Sequence, residues 1–158
     1  MKTIYLFAGS FDPMHTGHLN IIDKIANMFG RENVIVAMGI NFDKVEPENR
    51  DKYFSDKMEE SIALSKRIKC NVICYKTFLH ELIEHFERQL YKVILVRGLR
   101  NGSDLNYEAN QMRIINDFKK DINCIYVTCD VEFEHISSSV IRTILKSDRP
   151  KLSNAYLV

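Results

Sequence analysis

The chain has no tryptophan, only three prolines and six glycines among its 158 residues, and nothing close to the roughly 18 consecutive apolar residues that a membrane span needs. So little proline and glycine excludes a collagen-like or low-complexity chain. No membrane helix is expected, and the apolar stretch "TIYLFAG" after Lys2 is too short for a secretory leader. An excess of one charge is missing too: 22 basic residues stand against 21 acidic ones, a net +1. No global field advertises nucleic acid or an anionic membrane as a partner, so any anionic ligand has to be caught locally. The four cysteines, Cys70, Cys74, Cys124 and Cys129, match neither a zinc ribbon nor a redox C-x-x-C pair. They are expected as buried apolar thiols on strands, in a reducing cytoplasm.

What is present is a globular composition, 46% hydrophobic and 27% charged, in a length that suits one domain spanning 1–158. Short β-rich runs recur at 3–7, 33–39, 71–75, 92–98 and 123–128. They are nearly unbroken in Val and Ile and do not alternate, which predicts strands covered on both faces. Between them, Ile21, Ile22, Ile25, Met28 and Phe29 lay an apolar stripe along a helix. Segment 78–90 repeats that pattern and 104–118 follows it less regularly. Strand and helix in alternation predict an α/β fold: an open five-stranded parallel sheet with helices on both faces, its ligand at the carboxyl ends of the strands. The polar stretch 41–57 has no clear period and is expected as a loop, either mobile over the site or simply solvated. The tail after residue 145 shows no evident long helix.

Chemistry-bearing residues gather where three of these strands end. "GSFDPMHTGHL" (9–19) hands the first strand to a helix opening near Gly17 and His18, which presents backbone N–H groups and a positive dipole end to a phosphate. His15 and His18, three apart, can face one pocket and donate to phosphate oxygens. The pattern is neither a P-loop nor a dinucleotide-binding G-x-G-x-x-G turn. After the fourth strand, Arg97 and Arg100 bracket Gly98, an arrangement suited to gripping phosphate. After the fifth, Ser137, Ser138 and Ser139 precede an apolar helical run with Arg142 one turn in. One serine serves as an N-cap, and three make a second anion cradle. So many donors fit a nucleoside triphosphate and nucleotidyl transfer, in which a bound phosphate attacks the α-phosphorus and pyrophosphate leaves. No carboxylate-rich cage is visible, so no residue is assigned to metal and Mg2+ is expected to be held mainly by the ATP phosphates.

"HTGH" (15–18) and "ISSSVIR" (136–142) resemble the H-x-G-H nucleotidyltransferase superfamily. Together with "GSFDP", "RGLR" and "D-x-x-YE" in the expected order, they make residues 3–146 most similar to the phosphopantetheine adenylyltransferase family. The resemblance implies a Rossmann-like nucleotidyltransferase fold and an adenylyl transfer to 4′-phosphopantetheine, giving dephospho-coenzyme A. It implies His18, Lys44 and Arg100 as catalytic groups. Gly9, Ser10, Phe11, His15, Gly17, Gly98, Glu108, Phe133 and Ser137 to Ser139 would join His18 and Arg100 around the nucleotide. Ser10, Lys44, Thr77, Phe78, Leu79 and Arg97 would hold the acceptor. Partners would be ATP, a phosphorylated acceptor and further copies of the chain, a hexamer by resemblance. The chain departs from that family at His15, where threonine is usual and where nicotinamide mononucleotide adenylyltransferases and cytidylyltransferases carry histidine. Ala8 stands for a usual proline and Thr77 for a common aspartate, and the C-terminal helix looks short. Nicotinamide mononucleotide or a polyol phosphate with CTP, and a catalytically silent nucleotide-binding module, stay open as alternatives.

Overall fold

The computed structural model describes residues 1–158. Five strands, β1 (Lys2–Gly9), β2 (Val34–Gly39), β3 (Asn71–Tyr75), β4 (Tyr91–Leu99) and β5 (Asn123–Thr128), form one sheet in the order β3-β2-β1-β4-β5. Every neighbouring pair is parallel. All five runs read from the sequence are strands, each displaced by two residues or fewer at its ends.

The two faces of the sheet explain why the apolar runs are unbroken. Phe7, Val34, Val36, Met38, Val96 and Val127 point to one side, where they meet Ile21, Ile22 and Ile25 of α1 (Thr16–Phe29) and Leu64 and Ile68 of α2 (Arg50–Ile68). Ile4, Leu6, Ala8, Ala37, Val93 and Leu95 point to the other, against Leu82 and Ile83 of α3 (Leu79–Arg88) and Met112 of α4 (Gly102–Phe118). Each Val, Leu, Ile, Phe or Met among them taken fully out of water contributes roughly 1.5–3 kcal/mol before entropy is charged against it. A fifth helix, α5 (Ser138–Leu145), follows β5, and a 3-10 segment, Pro150–Ala155, follows that.

Two sequence expectations are corrected. The stretch 41–57 is not one irregular loop: single 3-10 turns at Phe42–Lys44 and Pro47–Asn49 lead into α2 at Arg50. Its 19 residues bury only Ser61, Leu64 and Ile68, too narrow a stripe to stand out as a period. The thiols also differ from expectation. Cys70 and Cys129 are buried but lie just before β3 and just after β5, while Cys74 and Cys124 are on those strands and only half-buried. All four are free, and burial pushes each of them up, away from the reactive thiolate.

Ile22 and Ile25 of α1 have no exposed surface where the helix meets the sheet. Ile22→Ala is expected to cost about 2–5 kcal/mol of unfolding free energy, read from urea denaturation. A loss under about 1 kcal/mol would show that α1 does not depend on this contact for its seat.

Candidate active site

Because β1 lies between β2 and β4, the chain runs outward from β1 in both directions, and the crevice at the carboxyl ends of β1 and β4 is the switch point of the sheet. A cavity of about 350 Å³ opens there. Its walls come from β1 and the following turn, the first turns of α1, the end of β4, α4, and the segment from Cys129 to Ser138.

The first turn of α1 is closed by two histidines acting on each other. His15 is the N-cap: its Nδ1 accepts the backbone N–H of Gly17 at 3.1 Å and of His18 at 3.4 Å. In return the backbone N–H of His15 donates to His18 Nδ1 at 3.2 Å. This reciprocal cap satisfies amides that a helix start leaves without partners. The rings stack with centroids 3.6 Å apart and 22° between planes. Gly17 is required by that stack, since a Cβ there would lie 3.0 Å from the His15 ring. Phe11, at φ 45°, carries its ring back over Gly9 and edge-on to His18 at 4.9 Å.

The chemistry follows from which nitrogens are used. A nitrogen that accepts a backbone N–H carries no proton, so both imidazoles keep theirs on Nε2. Burial, with the Arg100 charge nearby, lowers His15 to about 4. Burial first, then His15 and Arg100, holds His18 well below the ordinary histidine range. Both rings are therefore neutral near pH 7, each with an Nε2–H to donate.

The arginines are held by carboxylates from α4. Arg97 and Glu108, both mostly buried, pair through Arg97 Nε, leaving both Nη groups to donate elsewhere. Arg100 makes a two-pronged contact with Asp104, Nε and Nη2 each at 3.0 Å, and its backbone N–H donates to the same carboxylate at 2.8 Å. The Arg100 guanidinium holds the Asp104 carboxyl below the usual carboxylate range. At the third wall, Ser137 caps α5 by accepting the Val140 N–H at 3.2 Å. The amides of Ser138 and Ser139 in the first turn have no intrahelical acceptor.

Of the nucleotide residues expected from the sequence, all but Ser139 line the cavity. Ser139 is exposed and its hydroxyl accepts from Arg142 Nη2 at 3.2 Å. Arg142 ties α5 to the turn after β1: its Nη1 donates to the Asp12 carbonyl at 2.6 Å, while the Ser138 hydroxyl donates to that of Pro13 at 2.9 Å, so α5 clamps that turn. Lys44 is exposed on its 3-10 turn, outside the cavity lining, and Thr77, Phe78 and Leu79, at the start of α3, also stand apart from it. Asp104 and Tyr107, quoted in "D-x-x-YE" but given no role, and Cys129, read only as a buried thiol, also line the cavity. Asp104 had a usable signal, four positions after Arg100 in a helix's first turn.

The cytidylyltransferase-like family model matches residues 6–144. A phosphopantetheine adenylyltransferase of Porphyromonas gingivalis is 33% identical over 94% of this chain and 90% of its own length. One from Streptococcus pneumoniae is 35% identical over 92% of this chain and 85% of its own. The nicotinic acid mononucleotide adenylyltransferase of Plasmodium falciparum, solved with NaAD, superposes with a TM-score of 0.58 at 21% identity, over 99% of this chain and 91% of that one. That last likeness is one of fold.

The lowered histidines link stability to acid. In the folded chain His15 stays neutral down to about 4, whereas the unfolded chain takes up its proton near 6.5. Unfolding therefore binds protons between those values, so His15's contribution is complete above 6.5 and declines as pH falls toward 4. His15→Asn keeps a capping oxygen without a titrating ring. Its urea midpoint should fall less than the wild-type midpoint between pH 6.5 and 4; equal falls would remove His15 from the linkage.

Proposed function

Since the chain belongs to the phosphopantetheine adenylyltransferases, within the cytidylyltransferase-like family, we propose that it transfers the adenylyl group of ATP to 4′-phosphopantetheine, giving dephospho-coenzyme A and pyrophosphate. The observation that carries this reading is the neutral histidine pair with two Nε2–H donors at the same crevice as Arg97, Arg100 and the α5 amides. A phosphate oxygen of the acceptor attacks the α-phosphorus of ATP, the bond to the bridging oxygen breaks, and pyrophosphate takes the electron pair. No protein nucleophile takes part: fixed positions and fixed donors lower the barrier.

His18 Nε2–H donates to the α-phosphate oxygens as charge gathers on them. A neutral donor already locked by a backbone N–H needs no reorganisation at that moment. Ser10, exposed at the end of β1, meets the attacking phosphate, and the free Nη groups of Arg97 hold its other oxygens. Arg100 and the amides of Ser138 and Ser139 receive the departing pyrophosphate. Lys44 reaches the site only if the 41–49 segment closes over bound substrate, which makes it a closing group. Asp104 and Glu108, the carboxylates of the cavity, are each committed to an arginine. Mg2+ thus fits this site as an ion brought and held by the ATP phosphates, where it neutralises charge. We place the protein in the cytoplasm, where its free thiols stay reduced. Exposed Ile114 and Phe118 leave apolar surface for the further copies of a homo-oligomer, by resemblance a hexamer, to cover.

The test is pyrophosphate release with ATP or CTP against 4′-phosphopantetheine, nicotinamide mononucleotide and glycerol 3-phosphate. Turnover is expected with ATP and 4′-phosphopantetheine, and preference for another pair would reassign the acceptor. His18→Ala should lower kcat by about 10²- to 10³-fold with little change in ATP affinity. Near-normal turnover would end the role given to His18. Arg97→Ala should raise the acceptor KM far more than the KM for ATP, and equal effects would move Arg97 to the triphosphate.

A further inference from the structure

Beyond the cavity, on the α3 and α4 side of the sheet, the carboxyl ends of β2 and β3 carry one mostly buried phenol whose hydroxyl is unused. Tyr75 ends β3, pairs in register with Gly39, and packs against the core on the same face as Ala8, Ala37 and Leu95. Its ring lies flat across Gly39: a Cβ there would be 3.1 Å from Tyr75 Oη and 3.2 Å from Cζ. Glycine leaves the ring room to reach that way, toward β1, where a Cβ would press on it.

Registers show what the hydroxyl is aimed at. Gly9 pairs with Met38, so Ser10 follows beside Gly39. Phe7 pairs with Val96, so Arg97 follows beside Ala8 on this same face. Tyr75, Gly39 and Ser10 thus stand in one register row across β3, β2 and β1, and Arg97 of β4 lies on the same face two residues lower, beside Ala8. The Tyr75 hydroxyl donates to nothing in the chain, and it is not sealed in, because no buried side-chain oxygen of the protein lacks a partner. Burial raises the phenol, with the Arg97 charge opposing, so it is a protonated donor at neutral pH.

We propose that Tyr75 is an acceptor-binding residue whose hydroxyl donates a hydrogen bond to the phosphate of the acceptor, on the side opposite Arg97. The proposal rests on the reading that a phosphorylated acceptor attacks ATP in this crevice. β1, β4, α4 and the α5 segment already wall the cavity, so the open approach for a second substrate runs over β2 and β3. An acceptor arriving by that route passes Tyr75 before its phosphate reaches Ser10.

The experiment is the pyrophosphate-release assay on the full chain with Tyr75→Phe, which removes one oxygen and leaves the packed ring. The acceptor KM should rise about ten- to hundredfold, the cost of one hydrogen bond to a charged group, with the KM for ATP unchanged. Pantetheine without its phosphate, used as a competitor, should inhibit wild type and variant equally. Gly39→Ala, which pushes the ring aside, should add little to Tyr75→Phe. An unchanged acceptor KM, a matching loss of pantetheine inhibition, or fully additive effects of the two substitutions would each overturn the proposal. Failure of the underlying reading looks different: wild type itself would release no pyrophosphate with 4′-phosphopantetheine. If another phosphorylated acceptor turns over, the same variants are scored on that acceptor.

Discussion

The first turn of α1 governs the rest of the site. A helix N-terminus aimed at the switch point is useful only if its amides are held and its direction is fixed. Here both jobs fall to two stacked imidazoles that cap each other's backbone. A serine or aspartate cap would satisfy the same amides for about 0.5–2 kcal/mol, but would leave no donor over. An imidazole has a second nitrogen. Spending Nδ1 on the cap forces the proton to Nε2, so local helix chemistry sets the tautomer that phosphate chemistry needs. Burial then keeps both rings neutral, which removes their titration from the physiological range. Gly17 and Gly9 suit this constraint, since a Cβ there would press tightly on the His15 ring and the Phe11 ring.

The cations follow a different logic. Arginine beside a hydrophobic core would be expensive without a partner, and α4 supplies one for each: Glu108 for Arg97 and Asp104 for Arg100. These pairs keep the guanidiniums in place before any phosphate arrives. They also limit what a phosphate gains, because it shares each arginine with a carboxylate and meets the repulsion of that carboxylate. Arg97 is held through Nε alone, so it retains more donors for a ligand than the two-pronged Arg100. The same accounting speaks to metal, since a carboxylate bound to an arginine is a poor ligand for a cation.

The strands and the residues that line the crevice were legible in the sequence because they are made of local signals. Unbroken Val and Ile runs report burial on both faces, and "HTGH", "RGLR" and "ISSS" each lie within one turn of a strand end. What stayed hidden depends on neighbours that no local pattern names. α2 buries three residues out of 19, so its period is drowned by its charged surface. Lys44 and the start of α3 do not line the cavity, and no local pattern tells which residues of the connections after β2 and β3 will do so. Asp104 could have been given its role from its place in "D-x-x-YE", in the first turn of α4 just after Arg100. Tyr75 could not: its reach depends on a glycine in the adjacent strand, visible only once the register is known.

Distant chain segments also converge on the turn after β1. The carbonyls of Asp12 and Pro13 take donors from Arg142 and Ser138, 130 and 125 positions away. The Thr16 N–H donates to the Tyr156 carbonyl at 2.9 Å, and His15 bridges to Leu157. α5 and the segment after it are short, and most of their residues are exposed, with little apolar area to hold them down. Such elements open at a free energy well below that of the whole sheet. When they open, the turn loses its clamp and the histidine cap loses its flank while the five strands remain paired. On the function proposed, the walls of the crevice would therefore open more easily than the scaffold beneath them, and substrate phosphates bridging α1 and α5 would close that gap by binding only the clamped form.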